Sequence, residues 1–160
     1  MSSAVLTSPS VERVRGALTR AGLADTIVEL PGAARTAKAA AEFLGCEVGQ
    51  IANSLVFRAQ SSDSALLVMS SGARRVDVAR LSALVGEPVG KADADFVRRH
   101  TGFVIGGVAP VGHGLARAFV EKSLAAYREL WAAAGHPHTV FRLSYGELVR
   151  VTGGAEVELA

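Results

Sequence analysis

Two hydrophobic spacings alternate along the chain. Behind Ser8, Pro9 and Ser10, apolar residues recur at Val11, Val14, Leu18 and Leu23, which predicts a helix running to about Ala21 and stopped by Gly22. Weak alternation over 26–30 reads as a short strand before Pro31 and Gly32, after which Thr36 can cap an Ala-rich helix over 37–44 closed by Gly45. The runs 51–58 and 65–70 are β-type and flank the polar tract 60–64, so they predict a hairpin at the centre of a sheet. Helical spacing returns over 77–85, with Val78, Leu81, Leu84 and Val85 inward. It returns again over 93–100, with Asp93 or Asp95 near the start and Lys91 just outside.

Beyond the Gly-rich stretch 102–114, a strand is expected over 115–120. A helix is expected over 122–134, with Leu124, Tyr127, Leu130 and Trp131 on one face and Gly135 and Pro137 ending it. The pattern closes with a strand over 139–143, a helix over 145–151 begun by Ser144, and an edge strand over 156–159. Helices alternating with strands, together with the hairpin, imply an α/β fold. The expectation is a single domain over 1–160, with a mixed, largely antiparallel central sheet surrounded by helices.

Bulk properties narrow the picture. With 160 residues, 49% of them hydrophobic and 20% charged, one core can form without disulfides or metal. The longest apolar stretch, 103–111, is broken by Gly106, Gly107 and Pro110 and is too short for a membrane helix; residues 1–9 lack the pattern of a secretory signal. A cytoplasmic location is the expectation, and the lone Cys46 agrees with it. A net charge of +2 does not by itself argue for a nucleic-acid partner. What matters is whether Arg35, Lys38, Arg58 and Arg75, with Arg74, Arg98 and Arg99, converge into a phosphate-attracting rim or remain scattered, solvated surface.

The most unusual stretch is 106–113, Gly-Gly-Val-Ala-Pro-Val-Gly-His. Such a loop turns tightly and bares its backbone amides, so the N–H groups of Gly106 and Gly107 are candidates for holding a carbonyl or oxyanion while Pro110 fixes the path. It lacks the endings of a Walker loop or a dinucleotide fingerprint. His113 either orients water or donates to an ester, or simply makes a loop hydrogen bond. His136 and His138 bracket Pro137 without a third ligand, so they read as loop capping or nucleic-acid contacts rather than metal ligands.

A helix like 36–44, a strand like 51–57, the Gly107-Val-Ala-Pro110 element preceded by Thr-Gly-Phe-Val-Ile-Gly, and the terminal Pro-His-Thr-Val-Phe-Arg-Leu-Ser segment follow one another in an order that resembles the YbaK and prolyl-tRNA-editing family. The resemblance spans nearly the whole chain. It implies a mixed α/β fold, no metal or cofactor, and hydrolysis of the ester joining a wrong amino acid to the 3′-terminal adenosine of tRNA. Taken with the residue chemistry, it makes Gly106, Gly107, Asn53 and His113 the expected catalytic residues and Val108, Ala109, Pro110, Ser54 and His138 the expected substrate-binding residues. Contact with the tRNA acceptor end falls to Arg35, Lys38, Arg58 and Arg75. An aminoacyl-tRNA synthetase and a second copy of the chain are further candidate partners.

Two departures stand out. Many family members carry a lysine where this chain reads Asn53, which replaces a cation by a neutral amide. Val140 lies near where cysteinyl-specific members carry an acidic residue, which argues against a cysteine-specific site. The rival reading is therefore a catalytically silent module that binds an aminoacyl or nucleotide-like ligand. A third reading, hydrolysis of a small acyl ester unrelated to tRNA, predicts indifference to salt.

Overall fold

The computed structural model describes residues 4–32 and 36–159, so Arg35 lies outside the described residues. Its elements are α1 (Pro9–Arg20), β1 (Val28–Glu29), α2 (Ala37–Leu44), β2 (Ile51–Ala59), β3 (Ser64–Ser71), α3 (Val78–Val85), β4 (Val89–Lys91), α4 (Ala94–Thr101), β5 (Ala118–Glu121), β6 (Leu130–Ala133), β7 (Thr139–Leu143), α5 (Tyr145–Thr152) and β8 (Ala155–Val157). The fold is α/β, with one eight-stranded mixed sheet in the order β1-β7-β6-β2-β3-β5-β8 and β4 attached to β2. Pairs β1–β7, β2–β3, β2–β4 and β6–β7 run antiparallel, whereas β2–β6, β3–β5 and β5–β8 run parallel.

The expected hairpin is the centre of the sheet, in register from Ala52 with Ser71 to Ala59 with Ser64. Its alternation serves two cores. On one face Leu66 and Val68 join Leu81 of α3, with Leu55 and Phe57 packed against them; on the other, Ala52, Leu67 and Met69 meet Val14 and Leu18 of α1 and Val97 of α4. The starts of α2, α4 and α5 follow the capping residues read from the sequence, whereas the Ser8 side chain makes no capping hydrogen bond to α1. Thr36 accepts from the Ala39 N–H at 3.0 Å, Asp93 from Phe96 at 2.8 Å, and Ser144 forms a capping box with Glu147.

The span 122–134 corrects the expected helix. A short 3₁₀ turn, Lys122–Ala126, is followed by strand β6, whose Trp131 pairs in parallel with Ile51. Helical spacing of Leu124, Tyr127, Leu130 and Trp131 is real, yet Leu124 and Leu130 share one core with Tyr127 packed against it while Trp131 packs against another; Tyr127 lies so close over Gly49 that a Cβ there would stand 2.0 Å from its hydroxyl. On α3 only Leu81 is buried, while Val78 and Leu84 are exposed rather than inward. Strand β5 begins at Ala118, later than expected, and β4 is a three-residue strand that periodicity does not reveal. Among the described residues, no helix is long and apolar enough to cross a membrane.

Candidate functional site

Strand β2 is flanked on one edge by β3 along its length, but on the other edge by two separate strands. β6 covers Ile51 and Ala52, β4 covers Phe57 to Ala59, and among the described residues no strand pairs with 53–56 on that side. A central strand is ordinarily buried on both faces; here residues 53–57 are only half-buried, while 66–71 of the neighbouring β3 are buried. The split opens into a cavity of about 510 Å³. Its floor is β2, and its walls come from α2 (Ala37, Ala40), β6 (Trp131) and β7 (Val140). The resulting lining is mostly apolar with a few polar groups, as expected of a small-molecule site.

The Gly-rich loop forms one lip. Gly102 ends α4 in a left-handed conformation, φ 76°, and buried Phe103 anchors the chain before Val104, Ile105 and Gly106 surface. Arg13 of α1 ties this end down, donating to the Thr101 carbonyl at 2.9 Å and lying 3.9 Å over the Phe103 ring. Gly106, φ 85°, lines the cavity beside Pro137. A Cβ on Gly107 would stand 3.0 Å from the Cα and carbonyl carbon of His136, so glycine is what lets the loop rest against the β6–β7 turn.

That turn is held by its own hydrogen bonds. The Thr139 hydroxyl donates to the His136 carbonyl at 2.9 Å, the His138 N–H donates to His136 Nδ1 at 3.0 Å, and the His138 carbonyl accepts from Leu30 N–H at 2.6 Å. Burial, and secondarily the neighbouring His138, hold the His136 imidazole below its usual pKa. The two rings stand edge to face at 5.3 Å.

The residues expected at the site divide into two groups. Asn53, Ser54, Gly106 and Val108 line the cavity together. The Ser54 hydroxyl donates to Met69 Sδ at 3.4 Å. The Gly107 N–H, expected to face an oxyanion, instead donates to the Val104 carbonyl at 2.9 Å, whereas no described hydrogen bond engages that of Gly106. Ala109 and Pro110 are buried behind the loop and are absent from the cavity lining.

His113 is not at this site. It lines a separate shallow hollow with Arg20 and Arg150, is 8% exposed, and its Nδ1 accepts from the Leu115 N–H at 2.9 Å. Burial holds its pKa below the ordinary value, against a smaller raising effect of the Pro110 backbone. His138 supports the turn rather than lining the cavity. Lys38 and Arg75 are exposed, and Arg58 pairs with Asp63 across the hairpin at 2.6 Å.

Lys91, Trp131, Ile105 and Pro137 line the cavity without having been singled out for it. Lys91 is the only titratable side chain among the described lining residues. It pairs with Phe57, which puts it on the sheet face that carries Asn53. The Gly-Lys-Ala run that holds it is too short for periodicity to mark as a strand.

Comparison with known proteins agrees with this architecture. A crystal structure of a proposed trans-editing enzyme for prolyl tRNA synthetase superposes with a TM-score of 0.88 at 45% identity, covering 95% of this chain and 97% of that one. The crystal structure of hypothetical protein APE2540 matches with a TM-score of 0.82 at 25% identity, over 92% and 98% of the two chains. The uncharacterized protein YwhH of Bacillus subtilis (strain 168) is 28% identical over 142 residues, 87% of this chain and 88% of its own. The model of the aminoacyl-tRNA editing domain matches residues 32–151, a span that contains the split of β2, the Gly-rich loop and every wall of the cavity except Leu30; the chain belongs to the aminoacyl-tRNA editing domain family.

Proposed function

We propose that the chain is a trans-acting deacylase that hydrolyses the ester of mischarged tRNA. The observation that carries this reading is the cavity at the split of β2, roofed by the Gly106 loop, in a chain of the editing family. The aminoacyl group enters the cavity with its side chain against Trp131 and Val140, and Lys91 meets the phosphate of the terminal nucleotide. Lys91 thereby supplies the cation that Asn53 does not. Exposed Lys38 and Arg75 contact the acceptor stem.

Among the described lining residues no carboxylate, imidazole or thiol offers a general base. The ribose hydroxyl adjacent to the ester therefore takes part in proton transfer. Water oxygen bonds to the carbonyl carbon, the bond to the ribose 3′-oxygen breaks, and that oxygen takes the proton. The Gly106 N–H stabilises the developing oxyanion.

The test is deacylation of a panel of aminoacyl-tRNAs by the purified chain, with tRNA for proline charged with alanine, cysteine or serine placed first. Release of one amino acid well above the spontaneous rate supports the reading. No release with tRNA binding intact favours a silent binding module, the reading that Asn53 motivates.

A further inference from the structure

The open edge of β2 carries main-chain groups whose direction follows from the register. The Ile51 carbonyl accepts from Gly72 N–H at 2.8 Å on the β3 side, and the Gln60 N–H donates to the Pro88 carbonyl at 2.8 Å on the β4 side. Backbone polarity alternates residue by residue along a strand, so odd-numbered residues of β2 address β3 and even-numbered ones address the other edge. On that edge Ala52 is met by β6 and Arg58 by Gly90 of β4. The pairing of Phe57 with Lys91 takes up the Val56 carbonyl at the start of the β4 ladder. The Ser54 N–H, the Ser54 carbonyl and the Val56 N–H remain, and no hydrogen bond among the described residues engages them.

We propose that this segment of β2 edge is the subsite for the ammonium and carbonyl groups of a single aminoacyl unit, an inference that rests on the deacylase reading for its ligand. The α-ammonium donates to the Ser54 carbonyl, as the N–H of a neighbouring strand would. The acyl carbonyl accepts from a β2 N–H, that of Ser54 if the unit lies antiparallel to β2 and that of Val56 if it lies parallel. The gap suits such a ligand. β6 ends its pairing at Ala52 and β4 begins its pairing at Phe57, so the unpaired stretch 53–56 spans roughly 13 Å at about 3.4 Å per residue, and its three free groups at Ser54 and Val56 are those that one extended residue would use. A charged donor suits an unpaired carbonyl at a half-buried site, since a main-chain acceptor left without partner there is costly.

Amide hydrogen exchange on the ¹⁵N-labelled chain tests this directly. In the free protein Ser54 and Val56 exchange fast while Leu55 and Phe57, bonded to β3, are protected; equal protection of all four would overturn the open edge. Two non-hydrolysable probes follow, 3′-alanylamino-3′-deoxyadenosine and its 3′-propionylamino counterpart, which lacks the ammonium. The alanyl probe slows exchange at Ser54 or Val56 and binds about tenfold or more tighter. Equal affinities, no measurable binding, or protection confined to the Gly106 loop would each overturn the assignment. Because neither probe is cleaved, the subsite can stand while deacylation fails, and an active deacylase whose Ser54 and Val56 amides ignore the alanyl probe would lose the subsite alone.

Discussion

Lys91 stands directly across from Phe57, and cross-strand partners share a sheet face, so the one cation lining the cavity among the described residues lies on the side of β2 that also carries Asn53. If Lys91 contacts a phosphate, Lys91→Ala should raise KM for aminoacyl-tRNA about three- to tenfold with little change in kcat. It should also flatten the salt dependence of tRNA binding by the equivalent of about one phosphate contact. Lys91→Arg should retain most of the affinity, because a guanidinium also binds phosphate. Steady-state kinetics and binding across a salt series would show both.

Gly107 touches the His136 backbone, and its N–H is already committed to Val104. A Gly107→Val chain must therefore lift the loop off the turn rather than merely lose a hydrogen bond. Deacylation should fall by at least about tenfold, with a stability loss of about 1–3 kcal/mol from the overpacked contact. Unchanged hydrolysis of the best substrate would remove the loop from the site.

The helix ends were legible because the caps are local chemistry: Thr36, Asp77, Asp93 and Ser144 each satisfy an amide three residues on. The hairpin was legible because both runs are apolar and the tract between them is polar. The error over 122–134 came from tertiary context overriding a helical spacing, since Trp131 is drawn into the sheet opposite Ile51 and Leu124 packs from a 3₁₀ turn. The loop could be picked out by its glycines, but which of its amides remain free depended on a bond to Val104 that composition does not encode. His113 closes the Gly-rich stretch three residues beyond Pro110, yet the chain turns at Gly112, φ 72°, and carries it away to the hollow beside Arg150.

Buried His113 makes stability depend on pH with a definite sign. Its folded pKa lies below the ordinary value of about 6.5, so the unfolded chain binds the proton more readily. The contribution is complete above that value and is lost as pH falls through the depressed folded pKa. Urea unfolding should give a lower midpoint at pH 5 than at pH 8, and His113→Gln should reduce that difference even if it lowers stability throughout.

Glu121 and Ser123 should respond in opposite ways. The Glu121 side chain is buried and accepts from the Ser123 N–H at 3.3 Å and from the Leu159 N–H, so Glu121→Ala strands two donors and should cost about 1–3 kcal/mol for each that stays buried. The buried Ser123 hydroxyl has no partner among the described residues, so Ser123→Ala should be neutral or slightly stabilising. Thermal melts of the two variants separate the cases.

The interruption in pairing along β2 also bears on how the protein can change over time. Main-chain groups at Ser54 and Val56 survive every replacement that keeps the strand, and only proline deletes an N–H there. Trp131 and Val140 in the walls act instead through their side chains, which replacement changes directly. If that edge holds the aminoacyl unit, a pocket of this kind can acquire a taste for a different amino acid by exchanging wall residues, while the groups that meet what all amino acids share descend unaltered through topology rather than through the identity of any side chain.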